Sequence, residues 1–208
     1  MSSPLRVGLT GGIGAGKSLV GIWLRERSVP VYLADPRAQE LIWGNDKSLR
    51  KQVQEAILSF SSPATKKIPL SKILLKEIIL GEKTPLREKI LSLIHKAVYT
   101  DYQQWIAQQN YPYLVHEAAL IFETGMATHF DKIIVVHAEL NTRIQFIQRR
   151  DPERSLREIK EIINKQLPAE YLIQKADHVI YNHKEIQDLY QQVEKIHQIC
   201  LLEAQRDT

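Results

Sequence analysis

Five short apolar segments constrain the fold of this chain more than any other feature of its 208 residues. Each segment is almost continuously apolar or β-branched, which indicates strands buried on both faces, as in a parallel sheet covered by helices. Segments with helical spacing of apolar residues separate them, so the sequence predicts an α/β fold with right-handed crossovers. The predicted strands are Arg6–Thr10, Val29–Ala34, Tyr113–His116, Lys132–Val136 and His178–Tyr181.

One stretch interrupts this alternation, between the second and third predicted strands. Helical patterns there follow one another without a strand, separated by a polar loop at Ser59–Pro69 and a turn at Gly81–Pro85. Asp35 and Pro36 match an N-cap and the first helical position of the helix that precedes this stretch. We therefore predict a core of residues 1–44 and 110–208 and an all-helical insertion of residues 45–109.

Composition excludes several classes of protein. With 44% hydrophobic and 25% charged residues, the chain is typical of soluble globular proteins, and no apolar run approaches the 18 residues of a membrane span. The net charge of +4, without a basic stripe that alternates with aromatic residues, argues against a nucleic-acid partner. The single cysteine, Cys200, cannot form an internal disulfide, which favours a cytoplasmic location. The oligomeric state stays open, and a monomer is consistent with the sequence.

A glycine-rich loop carries the clearest chemical signal. The segment Gly11–Ser18 reads GGIGAGKS and matches the phosphate-binding pattern G-x-x-x-x-G-K-[ST], with a predicted strand before it and a helix after it. Glycines let successive backbone N–H groups point at phosphate oxygens, and the following helix adds its positive end. Lys17 would reach the β- and γ-phosphates, and the Ser18 hydroxyl would ligate Mg²⁺. The loop therefore predicts binding of ATP or GTP with Mg²⁺.

Three carboxylates lie at or near the ends of predicted strands, where ligands bind in open parallel sheets. Asp35 follows the second strand, and helix capping is by itself the simpler role for an aspartate before proline. Glu117 follows the third strand and fits either a polar loop or the surroundings of a metal ion. Glu123 lies a few residues further on. His95, at helical spacing from apolar neighbours, fits a helix-surface histidine.

Taken together, several segments resemble the dephospho-CoA kinase family, in order and over most of the chain. They are Thr10–Ser18, Ala34–Asp35, Glu117–Glu123, Arg150–Asp151, Gln166 and Ala176–Asn182. The resemblance implies a P-loop NTPase-like fold of three layers, with a five-stranded parallel sheet in the order 2-3-1-4-5 and helices on both faces. It also implies ATP-dependent phosphorylation of the ribose 3′-hydroxyl of dephospho-CoA, which is the last step of coenzyme A synthesis.

Specific roles follow from the same resemblance. Asp35 would be the catalytic aspartate, acting with Lys17, and the helical insertion would bind the acceptor, with Glu123 and His95 close to it. Arg150 would bind ATP from a mobile lid of about residues 146–165. The residues implied in ATP binding are Gly12, Gly14, Ala15, Gly16, Lys17, Ser18, Leu19 and Arg150, and Ser18 would also ligate Mg²⁺.

This chain departs from the family pattern at four positions. Leu19 replaces a threonine, Leu33 an acidic residue and Lys96 a proline, and Phe146 occupies a position where the lid commonly carries arginine. The last change puts the lid contacts in question. Two alternatives stay open at this point: a P-loop kinase of another small hydroxyl acceptor, such as a nucleoside or nucleotide, and a catalytically degenerate nucleotide-binding regulator.

Overall fold

The chain divides into two compact units in the computed structural model, which describes residues 3–60, 69–183 and 185–206. The first, here called the core unit, comprises residues 1–33 and 109–208, and the second, the helical unit, comprises residues 34–108. The predicted polar loop at Ser59–Pro69 falls almost entirely outside the described residues. Within the described residues, no helix combines the length and the apolar character that crossing a bilayer would require.

The core unit contains a five-stranded sheet in which every neighbouring pair is parallel, in the order β2-β3-β1-β4-β5. This confirms the predicted fold class. The central strands are buried because their side chains, such as Leu9, Val115 and Ile134, have apolar neighbours on both faces of the sheet. The strands are β1 (Leu5–Thr10), β2 (Val31–Leu33), β3 (Tyr113–Glu117), β4 (Lys132–His137) and β5 (His178–Tyr181).

Five described helices belong to the core unit. They are α1 (Lys17–Glu26), α6 (Leu140–Arg150), α7 (Leu156–Asn164), α8 (Ala169–Lys175) and α9 (Ile186–Arg206), and a 3₁₀ helix spans Met126–His129. The predicted capping box is present, since Ser155 and Glu158 each bond the other's backbone N–H at the start of α7. Cys200 lies buried on α9, where desolvation raises the pKa of its thiol to about 12, so its role is packing.

The helical unit contains α2 (Ala34–Trp43), α3 (Ser48–Ser59), α4 (Lys72–Leu80) and α5 (Pro85–Ile106). The longest, α5, begins with Thr84 as its N-cap and Pro85 inside its first turn, as the predicted turn at Gly81–Pro85 requires. The other three helices all pack against α5. The predicted insertion begins at residue 45, whereas the helical unit already begins at Ala34 because α2 packs with α3 and α5.

The predicted N-cap role of Asp35 is wrong. Helix α2 begins at Ala34, directly after β2 ends at Leu33, so Asp35 already lies inside the first turn. Alanine adopts helical geometry at the least cost of any residue, which lets the helix start one position earlier than the Asp-Pro pair suggests. Asp35 is exposed, and a carboxylate in a first turn is favoured by the helix dipole whether or not it caps the helix.

Candidate phosphate-binding site

The glycine-rich loop connects β1 to α1 and closes into the helix through a left-handed glycine. Gly16 is the N-cap residue of α1 and has a φ of 104°, a conformation that side chains rarely adopt. A β-carbon at Gly16 would also lie 2.6 Å from the amide nitrogen of Asn182. Position 16 therefore requires glycine both for its backbone conformation and for the close approach of a neighbouring side chain.

The charged end of the loop is held against its own backbone. Lys17 Nζ donates to the carbonyl oxygens of Gly11, at 2.8 Å, and Gly12, at 3.3 Å. These contacts fold the ammonium group back over the loop. Because the backbone of such a loop and its lysine bind the same phosphates, this geometry brings the cation to the place where phosphate charge would lie.

Ser18 is paired with the carboxylate at the end of β3. Its hydroxyl donates to Glu117 Oε1 at 3.0 Å. Helix α1 makes room for this carboxylate with a glycine, since a β-carbon at Gly21 would lie only 2.7 Å from Glu117 Oε2. The structure therefore brings Glu117 to the phosphate-binding loop, beside the residue that the sequence predicts to ligate Mg²⁺.

Two side chains from distant segments bond to the middle of the loop. Gln166 Oε1 accepts the backbone N–H of Ile13 at 2.8 Å, and Asn182 donates to the carbonyl oxygen of Ala15 at 3.0 Å. The backbone N–H of Asn182 in turn donates to the His137 carbonyl at the end of β4. In the sequence, Gln166 and Asn182 stand out only as part of the family resemblance. Nothing in the residues around them indicates which backbone group each one bonds.

Arginines at the two ends of α6 have different surroundings. Arg143 lies against the loop and donates from Nε to the Ile13 carbonyl at 2.9 Å. Arg150, the predicted ATP ligand, is an exposed residue whose guanidinium bonds Asp151 at 2.9 and 3.1 Å, and this pairing raises its pKa. No local sequence pattern indicates a role for Arg143, since only the packing of α6 brings it to the loop.

Two titratable groups near the loop, His137 and Arg143, have lowered pKa values. His137, at the end of β4, has a pKa lowered first by burial and then by the nearby charge of Arg143. Arg143 itself has its pKa lowered by burial. Among the described residues, no group of three or more His, Cys, Asp or Glu side chains is arranged to hold a metal ion. The lowered pKa of His137 thus reflects, after burial, the positive charge that Arg143 carries beside the loop.

The remaining predicted residues take separate positions. Leu19 is half-buried and packs on the apolar core beneath the loop. Glu123 is exposed and its carboxylate accepts the backbone N–H of Leu167 at 3.2 Å, which places it just before α8. In the helical unit, Asp35 occupies the first turn of α2, and His95 is half-buried on α5, where burial lowers its pKa against the opposing charge of Glu88.

Comparison with known proteins identifies the relatives of this chain. The family model described as dephospho-CoA kinase matches residues 5–188. A dephospho-CoA kinase of Fusobacterium nucleatum is 35% identical over 192 residues, covering 91% of this chain and 95% of that protein. One from Bacteroides fragilis is 30% identical over 207 residues, covering 94% of this chain and 97% of that protein.

Solved structures reproduce the fold. A Thermus thermophilus protein designated TT1252 superposes with a TM-score of 0.78 at 24% identity, covering 95% of this chain and 98% of that one. At this identity the likeness concerns the fold.

Proposed function

The chain belongs to the dephospho-CoA kinase family, and from this premise we propose that it transfers the γ-phosphoryl group of ATP to the ribose 3′-hydroxyl of dephospho-CoA. The products are coenzyme A and ADP, and the reaction is the last step of coenzyme A synthesis. The observation that carries the proposal is the family match over residues 5–188, together with a complete phosphate-binding loop inside it.

On the donor side, the loop from Gly12 to Leu19 binds the ATP phosphates. Its backbone N–H groups and the N-terminus of α1 supply a fixed field for the α- and β-phosphates. Lys17 adds a mobile cation that neutralises charge on the β- and γ-phosphates as the phosphoryl group leaves. The contacts of Gln166 and Asn182 support this role because they fix the loop backbone at Ile13 and Ala15, so that little reorganisation accompanies binding.

Ser18 and Glu117 fit a magnesium ion at the end of this loop. Magnesium prefers oxygen ligands and usually combines one or two protein groups with substrate phosphates and water. Because the Ser18 hydroxyl donates its proton to Glu117, the hydroxyl oxygen keeps its lone pairs for a cation. The bound ion would neutralise charge that develops on the phosphates. Ser18 would ligate it directly, and Glu117 would orient the Ser18 hydroxyl.

On the acceptor side, Asp35 acts as the catalytic base and the helical insertion, residues 45–109, binds dephospho-CoA. A ribose hydroxyl is a weak nucleophile, and a carboxylate about 3 Å from it can orient it and accept its proton. The exposure of Asp35 in the first turn of α2 supports this role, since that carboxylate is accessible to a substrate. Glu123 and His95 contribute further polar groups to acceptor binding.

Closure over ATP involves a lid of about residues 146–165, which contains the end of α6 and all of α7. Arg150 lies at the end of α6 and forms an ion pair with Asp151. Because an exposed ion pair contributes little free energy, the guanidinium can leave Asp151 and turn towards ATP. Closure would exclude water from the site, so that the acceptor hydroxyl, and not a water molecule, attacks the γ-phosphoryl group. A cytoplasmic location, where ATP and coenzyme A precursors are made, fits this activity.

The proposal is tested by supplying MgATP with a panel of acceptors and measuring ADP release together with the phosphorylated product. We expect turnover with dephospho-CoA and little with nucleosides, nucleotides or gluconate. Preferred phosphorylation of one of those acceptors would instead support a kinase of another small hydroxyl compound. ATP binding without phosphorylation of any acceptor would support a nucleotide-binding regulator.

A further inference from the structure

Helix α6 places an arginine directly on the phosphate-binding loop. The Arg143 guanidinium donates from Nε to the Ile13 carbonyl at 2.9 Å and from Nη2 to Gln166 Oε1 at 3.0 Å. The same Gln166 oxygen accepts the backbone N–H of Ile13. One amide oxygen therefore holds both the arginine and the loop backbone, which fixes the guanidinium relative to the loop.

Gly12 permits this close approach. A β-carbon at Gly12 would overlap Arg143 Nη2 and lie 2.5 Å from its Cζ, so any side chain there would displace the guanidinium. The carbonyl oxygen of Gly12 lies 3.3 Å from Lys17 Nζ. Two cationic side chains, from α1 and from α6, therefore meet at a single glycine of the loop.

The Arg143 guanidinium differs from those of many other arginines in the groups that it bonds. Its side-chain hydrogen bonds within the described residues go to a backbone carbonyl and a neutral amide, and none of the ion pairs there includes it. Partial burial nevertheless removes water from the guanidinium. A desolvated cation without a counter-charge is costly and suits a site that binds an anion. By contrast, seven arginines in the described part of the chain lie within 3.4 Å of a carboxylate oxygen: Arg6, Arg27, Arg37, Arg87, Arg150, Arg154 and Arg157.

We propose that Arg143 contacts the γ-phosphate of bound ATP as a second cation besides Lys17, and that Gln166 is the positioning residue that aims it. The inference rests on the proposed use of ATP but not on the identity of the acceptor. The N-terminus of α1 and the adjoining loop N–H groups take the α- and β-phosphates. Arg143 bonds the first half of the loop, at Ile13, so the phosphate left within its reach is the terminal one.

The test compares the affinities of ATP and ADP for the whole protein, measured by calorimetry with Mg²⁺ and no acceptor. For Arg143→Met we expect the ratio of ATP to ADP affinity to fall about 10-fold, since a charge-assisted hydrogen bond to the γ-phosphate is lost. A purely structural role would weaken both nucleotides equally. Arg25→Met removes the same charge from an exposed position of α1, outside the proposed lid, and serves as the matched control, with an unchanged ratio expected.

Gln166→Ala provides a second variant, which keeps the arginine and removes the oxygen that positions it, together with the hydrogen bond of that oxygen to the Ile13 N–H. Its ratio of ATP to ADP affinity should also fall, by a smaller factor of about 3-fold. If Arg143→Met does not fold, this variant alone tests whether Arg143 contacts the γ-phosphate. A wild-type ratio in either folded variant would overturn the assignment to the γ-phosphate. Because no acceptor is present, this outcome is separate from a failure of the wild-type protein to phosphorylate dephospho-CoA.

Discussion

The core unit and the helical unit use their polar side chains in different ways. In the core unit, Glu117, Gln166 and Asn182 come from segments about 100 to 167 residues away in the chain and all bond one short loop. In the helical unit, the corresponding contacts hold helices together, as when Arg37 of α2 makes two hydrogen bonds to Asp101 of α5. The phosphate-binding loop is thus supported by many contacts before any ligand binds. The acceptor chemistry proposed for the helical unit depends on few residues, of which Asp35 is the first.

The largest effect should come from Asp35→Asn, which tests the helical side of this comparison. The change removes a proton acceptor and keeps nearly the same shape, so we expect kcat to fall by roughly 10²- to 10⁴-fold, or about 3–5 kcal/mol. Calorimetric ATP affinity should stay close to the wild-type value. Steady-state kinetics and the melting temperature are the measurements.

Asp46→Asn is the matched control for this variant. Asp46 also belongs to the helical unit and its carboxylate accepts the backbone N–H of Ser48 at 2.8 Å, at the start of α3. Because asparagine bonds that N–H almost as well, both kcat and melting temperature should change little. Full activity in Asp35→Asn would contradict the catalytic role. The only role left for the Asp35 carboxylate would then be its favourable interaction with the dipole of helix α2.

Lys17→Ala should have the next largest effect and tests the core side. Loss of the ammonium group removes neutralising charge from the β- and γ-phosphates, so kcat/KM should fall by on the order of 10²-fold, or about 3 kcal/mol. Unlike Asp35→Asn, this variant should also bind ATP more weakly. Lys195→Ala, at an exposed position of α9, removes the same group and should leave both quantities unchanged. Near wild-type turnover in Lys17→Ala would contradict the assignment of the loop.

Local sequence patterns predict those parts of the molecule that depend on nearest neighbours along the chain. Continuous apolar runs predicted all five strands, and the loop from Gly11 to Ser18 is recognisable because its backbone geometry requires glycines at fixed spacing. The Asp35–Pro36 pair misled the prediction of where α2 begins, since cap signals are weak and a buried alanine can extend a helix by one residue.

The contacts that support the loop could not be predicted in this way. Arg143, Gln166 and Asn182 reach the loop only because of how α6, the end of α7 and the end of β5 pack, and a single sequence carries no record of such long-range pairs. The sequence does show Phe146 where the lid commonly has an arginine, which suggests one cation fewer near ATP. The structure shows that Arg143, three residues earlier on the same helix, lies on the loop itself.

A pH-dependent prediction concerns the stability of the core unit. His116 on β3 is fully buried between the rings of Tyr32 and Phe130, and this burial lowers its pKa from 6.5 to about 4. Between these two values the unfolded chain binds a proton that the folded chain does not, so the free energy of unfolding falls as pH is lowered from 6.5 to 4. The contribution of this one group is about 3 kcal/mol across the window.

Urea unfolding at a series of pH values measures this pH dependence of the free energy of unfolding. His116→Leu should flatten the dependence, whereas His183→Leu, at an exposed position, should not. An identical pH dependence in His116→Leu and wild type would contradict this account.

The smallest effect is expected at the far end of α6. Arg150 is exposed and pairs with Asp151, and an exposed pair of this kind contributes about 0–1 kcal/mol to stability, so Arg150→Met should hardly change the melting temperature. If the segment closes as a lid, the same variant should raise the KM for ATP several-fold, because one cation no longer reaches the nucleotide. Arg157→Met is the matched control, since Arg157 is a still more exposed arginine of the same segment that pairs with Glu161. Hydrogen exchange gives an independent measurement: ATP with acceptor should protect the backbone amides of residues 146–157 in the wild-type protein and protect them less in Arg150→Met. Unchanged exchange at saturating ligand would exclude this segment as a closing lid and leave Arg143 and Lys17 as the cations that the core unit directs at ATP.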